Sequence, residues 1–204
     1  MQAIRNIIFD LGGVFLNLNY QLTEDAFVAA GVTDFHSYFT QHFSNPLFEQ
    51  LETGKISDAD FYRGFREQTG ANISDAIIRE AWNAMLLDFP VARLQWLGEV
   101  RERYRIFLFS NTNQIHYDAF MDRFAKDYPG VDFNSYFIKA YYSQFMGLRK
   151  PYPEAFQFIL DEQQLNPAET LFIDDTPKNI TGAQAVGLQT IYLEKGMEIT
   201  EIKL

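Results

Sequence analysis

Ile7-Ile8-Phe9-Asp10-Leu11-Gly12-Gly13-Val14 is the stretch from which the rest of the chain can be read. Three consecutive apolar, β-favouring residues leave no polar face, so a strand formed here is buried on both sides, as the strands of parallel sheets are. The run stops at a carboxylate. The two glycines that follow allow the backbone to turn sharply and to come close to a ligand. The same pattern recurs twice: Ile106-Phe107-Leu108-Phe109 runs into Ser110, and Leu171-Phe172-Ile173 runs into Asp174-Asp175. Thr190-Ile191-Tyr192-Leu193, after Gly187, reads as an outer strand.

Helical spacing lies between these runs. Leu94, Leu97, Val100 and Tyr104 recur at three- and four-residue steps, and Phe156, Ile159 and Leu160 do so after Pro151 and Pro153. Pro177 stands where a first helical turn accepts proline, with Gly187 near that helix's end. Alternating strands and helices predict an α/β fold with a doubly wound parallel sheet. Residues 17–90 break the alternation. Ser57 and Asp60 form a capping-box pattern, Phe61 and Phe65 share a face, and Ile77, Ile78, Ala81, Trp82 and Met85 make a stripe. The expectation is an all-helical block of four or five helices at 17–90, inserted into a core made of 1–16 and 91–204. Its many aromatics at helical spacing are expected to be mostly core.

Composition narrows the function classes. The chain has 204 residues, a net charge of −10 and no cysteine. The acidity argues against nucleic acid and anionic membrane as partners. The lack of thiols removes disulfides, cysteine nucleophiles and cysteine-ligated zinc, and suits a cytoplasmic protein. Ile7-Ile8-Phe9 is cut by Asp10 too early for a signal peptide, no stretch approaches a membrane span, and long tails are not expected. A monomer or homodimer is expected.

In an open parallel sheet, ligands bind beyond the C-terminal strand ends, where the strand order reverses. Asp10, Ser110 and Asp174-Asp175 all stand at such ends. A carboxylate at Asp10 is suited to be a metal ligand, a nucleophile or both. Adjacent carboxylates repel unless a cation accompanies them, and Mg²⁺ is the natural one; taken alone, Asp174-Asp175 would also serve as a helix N-cap pair. Ser110-Asn111-Thr112-Asn113 offers hydrogen-bonding groups, with Thr112 and Asn113 equally readable as an N-cap cluster. Lys150, in Arg149-Lys150-Pro151, is a point charge able to balance a phosphate or a carboxylate.

Taken together and in order, Asp10-Leu11-Gly12-Gly13-Val14, Ser110-Asn111-Thr112, Arg149-Lys150-Pro151 and Asp174-Asp175 with Asn179 resemble the haloacid dehalogenase-like hydrolase superfamily. The resemblance covers essentially the whole chain and implies a Rossmann-like core, with 17–90 as the small helical-bundle cap. It implies phosphoryl transfer: Asp10 as nucleophile, and Mg²⁺ held by Asp10, the Gly12 carbonyl and the Asp174-Asp175 pair, Asp175 being favoured for direct ligation. Ser110 and the Asn111 backbone would hold phosphate oxygens, and Lys150 would balance charge. The substrate would be a small phosphorylated metabolite.

Gly12 departs from the common phosphatase pattern, which has a second Asp there as general acid. Asp10-Leu11-Gly12, Ser110-Asn111-Thr112-Asn113 with His116, and Gly147-Leu148-Arg149-Lys150-Pro151 resemble a sugar-phosphatase branch associated with substrates such as glucose 1-phosphate. His116 is the nearest replacement donor by sequence, and it also reads as an exposed histidine on a helix face. A metal-independent haloacid dehalogenase and a non-catalytic phosphometabolite-binding relative are the alternatives. Displacing halide needs no proton, but the acidic pair fits that chemistry poorly.

Overall fold

A computed structural model describes residues 3–204. Strand β1 (Asn6–Phe9) is followed by helix α1 (Tyr20–Ala29), a hairpin of β2 (Phe39–Thr40) and β3 (Phe43–Ser44), and helices α2 (Pro46–Glu52), α3 (Asp58–Thr69) and α4 (Asp75–Asn83). Helix α5 (Val91–Val100) leads back into β4 (Arg105–Ser110). Then come α6 (Gln114–Asp127), β5 (Lys139–Tyr142), α7 (Ser143–Met146), α8 (Pro153–Gln163), β6 (Thr170–Asp174), α9 (Pro177–Ala185) and β7 (Gln189–Tyr192).

The five long-range strands form one parallel sheet in the order β5-β4-β1-β6-β7. The alternation inferred from the apolar runs is thus a Rossmann-like doubly wound sheet. Ile7 and Phe9 point into one buried cluster, and Ile8 points into another with Phe107, Phe109, Phe156 and Phe172. Both faces are covered, which is why the sequence shows continuous apolar runs there. Winding proceeds from β1 through β4 to β5 on one side and through β6 to β7 on the other. The reversal therefore falls at β1, and the register sets Phe9 beside Leu108 and Ile173. The crevice this creates opens immediately after Phe9.

Two elements differ from expectation. The segment between β1 and α5 is not all helical, because Phe39–Thr40 and Phe43–Ser44 pair antiparallel. Strands of two residues are too short to show alternation. Lys139–Tyr142 forms an edge strand with no continuous apolar run, its Lys139 side chain turned out to Glu162. The capping box of Ser57 and Asp60 is present at the start of α3. On α4, Ile78, Ala81 and Trp82 are buried, whereas Ile77 is exposed. Phe27, Phe35, Phe48, Phe61, Phe65 and Trp82 pack as core, while Phe43 is exposed.

The chain leaves and rejoins the sheet layer through paired backbone. Leu18 bridges antiparallel to Leu86, Asn17 N–H donates to Asp88 O, Leu87 N–H to Asn17 O and Asn19 N–H to Met85 O. Among the described residues, no helix is long and apolar enough to cross a membrane.

Candidate active site

Lys150 is the centre of the crevice. Its side chain is 1% exposed, and its ammonium donates to Asp10 Oδ1 and to Asp174 Oδ2, both at 2.7 Å. Its Nζ lies over two strand aromatics, 5.3 Å from the ring centre of Phe109 and 5.4 Å from that of Phe172. An ammonium so deeply buried persists because its partners are charged. Burial works against its charge, yet Asp10 and Asp174 hold it above the usual lysine value.

The two carboxylates of the acidic pair do different work. Asp174 is fully buried. Besides Lys150 it accepts from Thr176 N–H at 2.7 Å and from Asn179 Nδ2 on both oxygens, at 3.1 and 3.0 Å. Asp175 instead lines the cavity together with Gln41 and Phe43 of the hairpin. Its Oδ2 accepts from Gln41 Nε2 and its Oδ1 from Thr176 Oγ1, each at 3.2 Å. Neither is the N-cap of α9; that position is Thr176. Gly13 makes the arrangement possible, for at φ +73° a Cβ there would stand 2.3 Å from Asp175 Oδ2.

The sequence-named residues Asp10, Gly12, Ser110, Asn111, Lys150 and Asp175 line a single cavity, with Asp174 directly behind it. Asn111 turns its side chain away from that role and hydrogen-bonds the Lys150 backbone on both sides. Asn113 caps α6, accepting from His116 N–H, as one reading of that cluster anticipated. Ligand oxygens of Asp10, Asp174 and Asp175 lie within 4.8 Å of one another. Burial above all pushes Asp10 up to about 8, with Lys150 opposing and the other two aspartates adding. Asp175 is raised to about 6, by burial first and Asp174 second. Three carboxylates against one ammonium leave an excess of negative charge. An all-oxygen donor set of this kind fits a hard divalent cation such as Mg²⁺.

His116 is neither exposed nor positioned as an acid. Its ring is buried, lies 4.4 Å from the Trp82 ring, and its Nε2 is 3.1 Å from Trp82 O. A carbonyl partner requires the Nε2–H donor, and burial lowers the pKa to about 3. It is a neutral histidine that ties α6 to α4.

Further residues reach the cavity, Tyr20 and Gln41 among them without a sequence signal. Tyr20, Phe39, Gln41 and Trp82 line it from the segment between β1 and α5. Gln41 falls in the unpatterned hairpin turn, which periodicity does not register. Arg149, quoted in the lysine motif but given no task, is buried and pairs with Glu52 Oε2 at 2.8 Å and with Glu49. Burial raises Glu52 and Arg149 opposes it.

A family profile described as haloacid dehalogenase-like hydrolase matches residues 4–187, and the chain belongs to that family of hydrolases. Two curated relatives are phosphatases. A D-ribitol-5-phosphate phosphatase of Bacteroides thetaiotaomicron is 30% identical over 96% of this chain and 94% of its own. A sesquiterpene phosphatase of Aspergillus oryzae is 28% identical over 91% and 88%. Among solved structures, a mutant of the family enzyme BT-2542 from Bacteroides thetaiotaomicron, in complex with magnesium and inorganic phosphate, superposes with a TM-score of 0.90 at 35% identity, covering 97% of both chains.

Proposed function

We propose that this protein is a Mg²⁺-dependent phosphatase of a small phosphorylated sugar or polyol. The observation that carries the reading is the double engagement of Lys150 by Asp10 and Asp174, with Asp175 facing the same cavity. Asp10 is the nucleophile. Its Oδ1 is held by Lys150, which orients the carboxylate and offsets its repulsion of a phosphate dianion. It attacks phosphorus to give an aspartyl-phosphate, which water then hydrolyses. Ser110 and the Asn111 backbone hold phosphate oxygens. Asp10, the Gly12 carbonyl and Asp175 would hold Mg²⁺, which would supply Lewis-acid neutralisation of the phosphoryl oxygens. Asp174, saturated by its partners, fixes Lys150 and Asn179.

Residues 17–90 act as the cap over a core of 1–16 and 91–204, its two ends paired by the backbone bridge between Leu18 and Leu86. The names of the relatives support a phosphate monoester, and the mixture of Gln41 with Phe39 and Trp82 in the cavity wall suits a small metabolite with both hydroxyl and carbon surface. The acidic cluster weighs against metal-independent dehalogenation, because uncompensated buried carboxylates are costly. We place the enzyme in the cytoplasm, as monomer or homodimer.

The test is phosphate release from a panel of sugar and polyol phosphates, with and without Mg²⁺. Activity should require the cation and vanish in Asp10→Asn. Undiminished turnover in that variant, or in excess chelator, would refute the proposal.

A further inference from the structure

Gly12 leaves the family's general-acid place without a side chain, yet an alkoxide expelled from phosphorus needs a proton. The donor must reach the cavity, keep a proton at neutral pH and have no prior commitment. Most candidates around the cavity fail the last condition. His116 is neutral and spends its Nε2–H on Trp82 O. Lys178 Nζ donates to His42 O. Arg149 is taken by Glu49 and Glu52. Gln41 donates to Asp175, and an amide cannot give up a proton under these conditions.

Tyr20 meets all three. It opens α1, where the Asn19 side chain accepts from Gln21 N–H and fixes the first turn. Its ring stands 6.4 Å from that of Phe39. It lines the inner cavity with Asp10 and also the outer groove with Asp175, so it belongs to the wall between them. Among the described residues its hydroxyl has no hydrogen-bond partner, as neither the protein's donors nor its acceptors reach it. A phenol keeps its proton at neutral pH.

We propose that Tyr20 is a further catalytic residue, whose hydroxyl donates to the leaving-group oxygen in the role that Gly12 leaves vacant. The inference rests on the phosphatase reading. In the first step Asp10 forms a bond to phosphorus, and the bond from phosphorus to the ester oxygen breaks with its electron pair going to that oxygen. The Tyr20 proton moves to the same oxygen, leaving a phenolate. In the second step water attacks the aspartyl-phosphate and passes its proton to that phenolate, which restores the phenol.

The test compares Tyr20→Phe with the wild type on two substrates, ribitol 5-phosphate and p-nitrophenyl phosphate. The first expels an alkoxide and needs the proton; the second expels a stabilised phenolate and does not. Loss of general acid catalysis should lower kcat/KM for the alkyl ester by about 10²-fold and leave the aryl ester nearly unchanged. Because both substrates are read on one preparation, their ratio does not depend on the fraction of folded enzyme. An equal loss on both, or no loss on either, overturns the role of Tyr20 while leaving the phosphatase reading intact. A wild type that releases phosphate from neither substrate in Mg²⁺ overturns both.

Discussion

Asn111 holds the backbone of Lys150 from both sides: its Nδ2 donates to Lys150 O and its Oδ1 accepts from Lys150 N–H, each at 2.9 Å. The strand end at β4 thereby fixes a lysine 39 residues further along the chain. Asn111→Ala is expected to release that backbone and lower kcat by about 10²-fold, as misplacing a catalytic group does. KM should change little, because the phosphate-binding backbone remains. Steady-state kinetics decide the matter; an unchanged kcat would mean that Lys150 is placed by Asp10 and Asp174 alone.

Gly13→Ala tests the seat of Asp175. The added methyl would stand 2.3 Å from Asp175 Oδ2 on a backbone at φ +73°. Strain at such a position costs about 1–3 kcal/mol, and moving the carboxylate should weaken Mg²⁺ by about 10–100-fold. Titrating activity against Mg²⁺ in both proteins measures the effect, and equal half-saturation would show that Asp175 is not a ligand.

Cation binding should expel protons. Without a cation, burial raises both Asp10 and Asp175, to about 8 and about 6, so any proton the acidic cluster holds must leave before a cation can bind there. Apparent Mg²⁺ affinity should therefore rise with pH between about 6 and about 8. Calorimetry in buffers of differing ionisation enthalpy should record the release of roughly one proton near neutral pH, and a heat independent of buffer would count against it.

The stability of the fold should carry a histidine signature. His116 has a pKa of about 3 when folded, against about 6.5 unfolded. Between those values the unfolded chain binds the proton and the folded chain does not. Stability from this group is thus complete above about 6.5 and is lost as pH falls, at about 1.4 kcal/mol per unit. His116→Gln removes this dependence. Urea unfolding at about pH 7.5 and about pH 5.5 should show the wild type losing about 1.4 kcal/mol more than the variant over that interval. Parallel losses would mean that the imidazole takes up a proton in place.

Ile7, Ile8 and Phe9 reveal their strand because burial on both faces erases the polar alternation, and the same holds around Phe107 and Phe172. The strand-end chemistry is equally legible, since register in a parallel sheet carries Asp10, Ser110 and Asp174 to one edge. Lys139–Tyr142 stayed hidden because an edge strand is wet on one side. Tyr20 and Gln41 stayed hidden for another reason. Their importance comes from the way the segment between β1 and α5 reaches the crevice, a tertiary relation with no local period. Asp174 and Asp175 show the limit from a third direction, for two identical neighbours on a strand end differ only in which way each faces.

Arg149 and Lys150 are adjacent in the chain and turned to opposite tasks. One grips Glu49 and Glu52 on α2, and the other grips Asp10 and Asp174 at the sheet. Recombination that exchanges residues 17–90 for the corresponding piece of another family member would strand a buried guanidinium beside the very lysine that the carboxylates depend on. That segment is therefore not an interchangeable cassette, and a workable chimera has to carry both α2 glutamates or give up Arg149 with them.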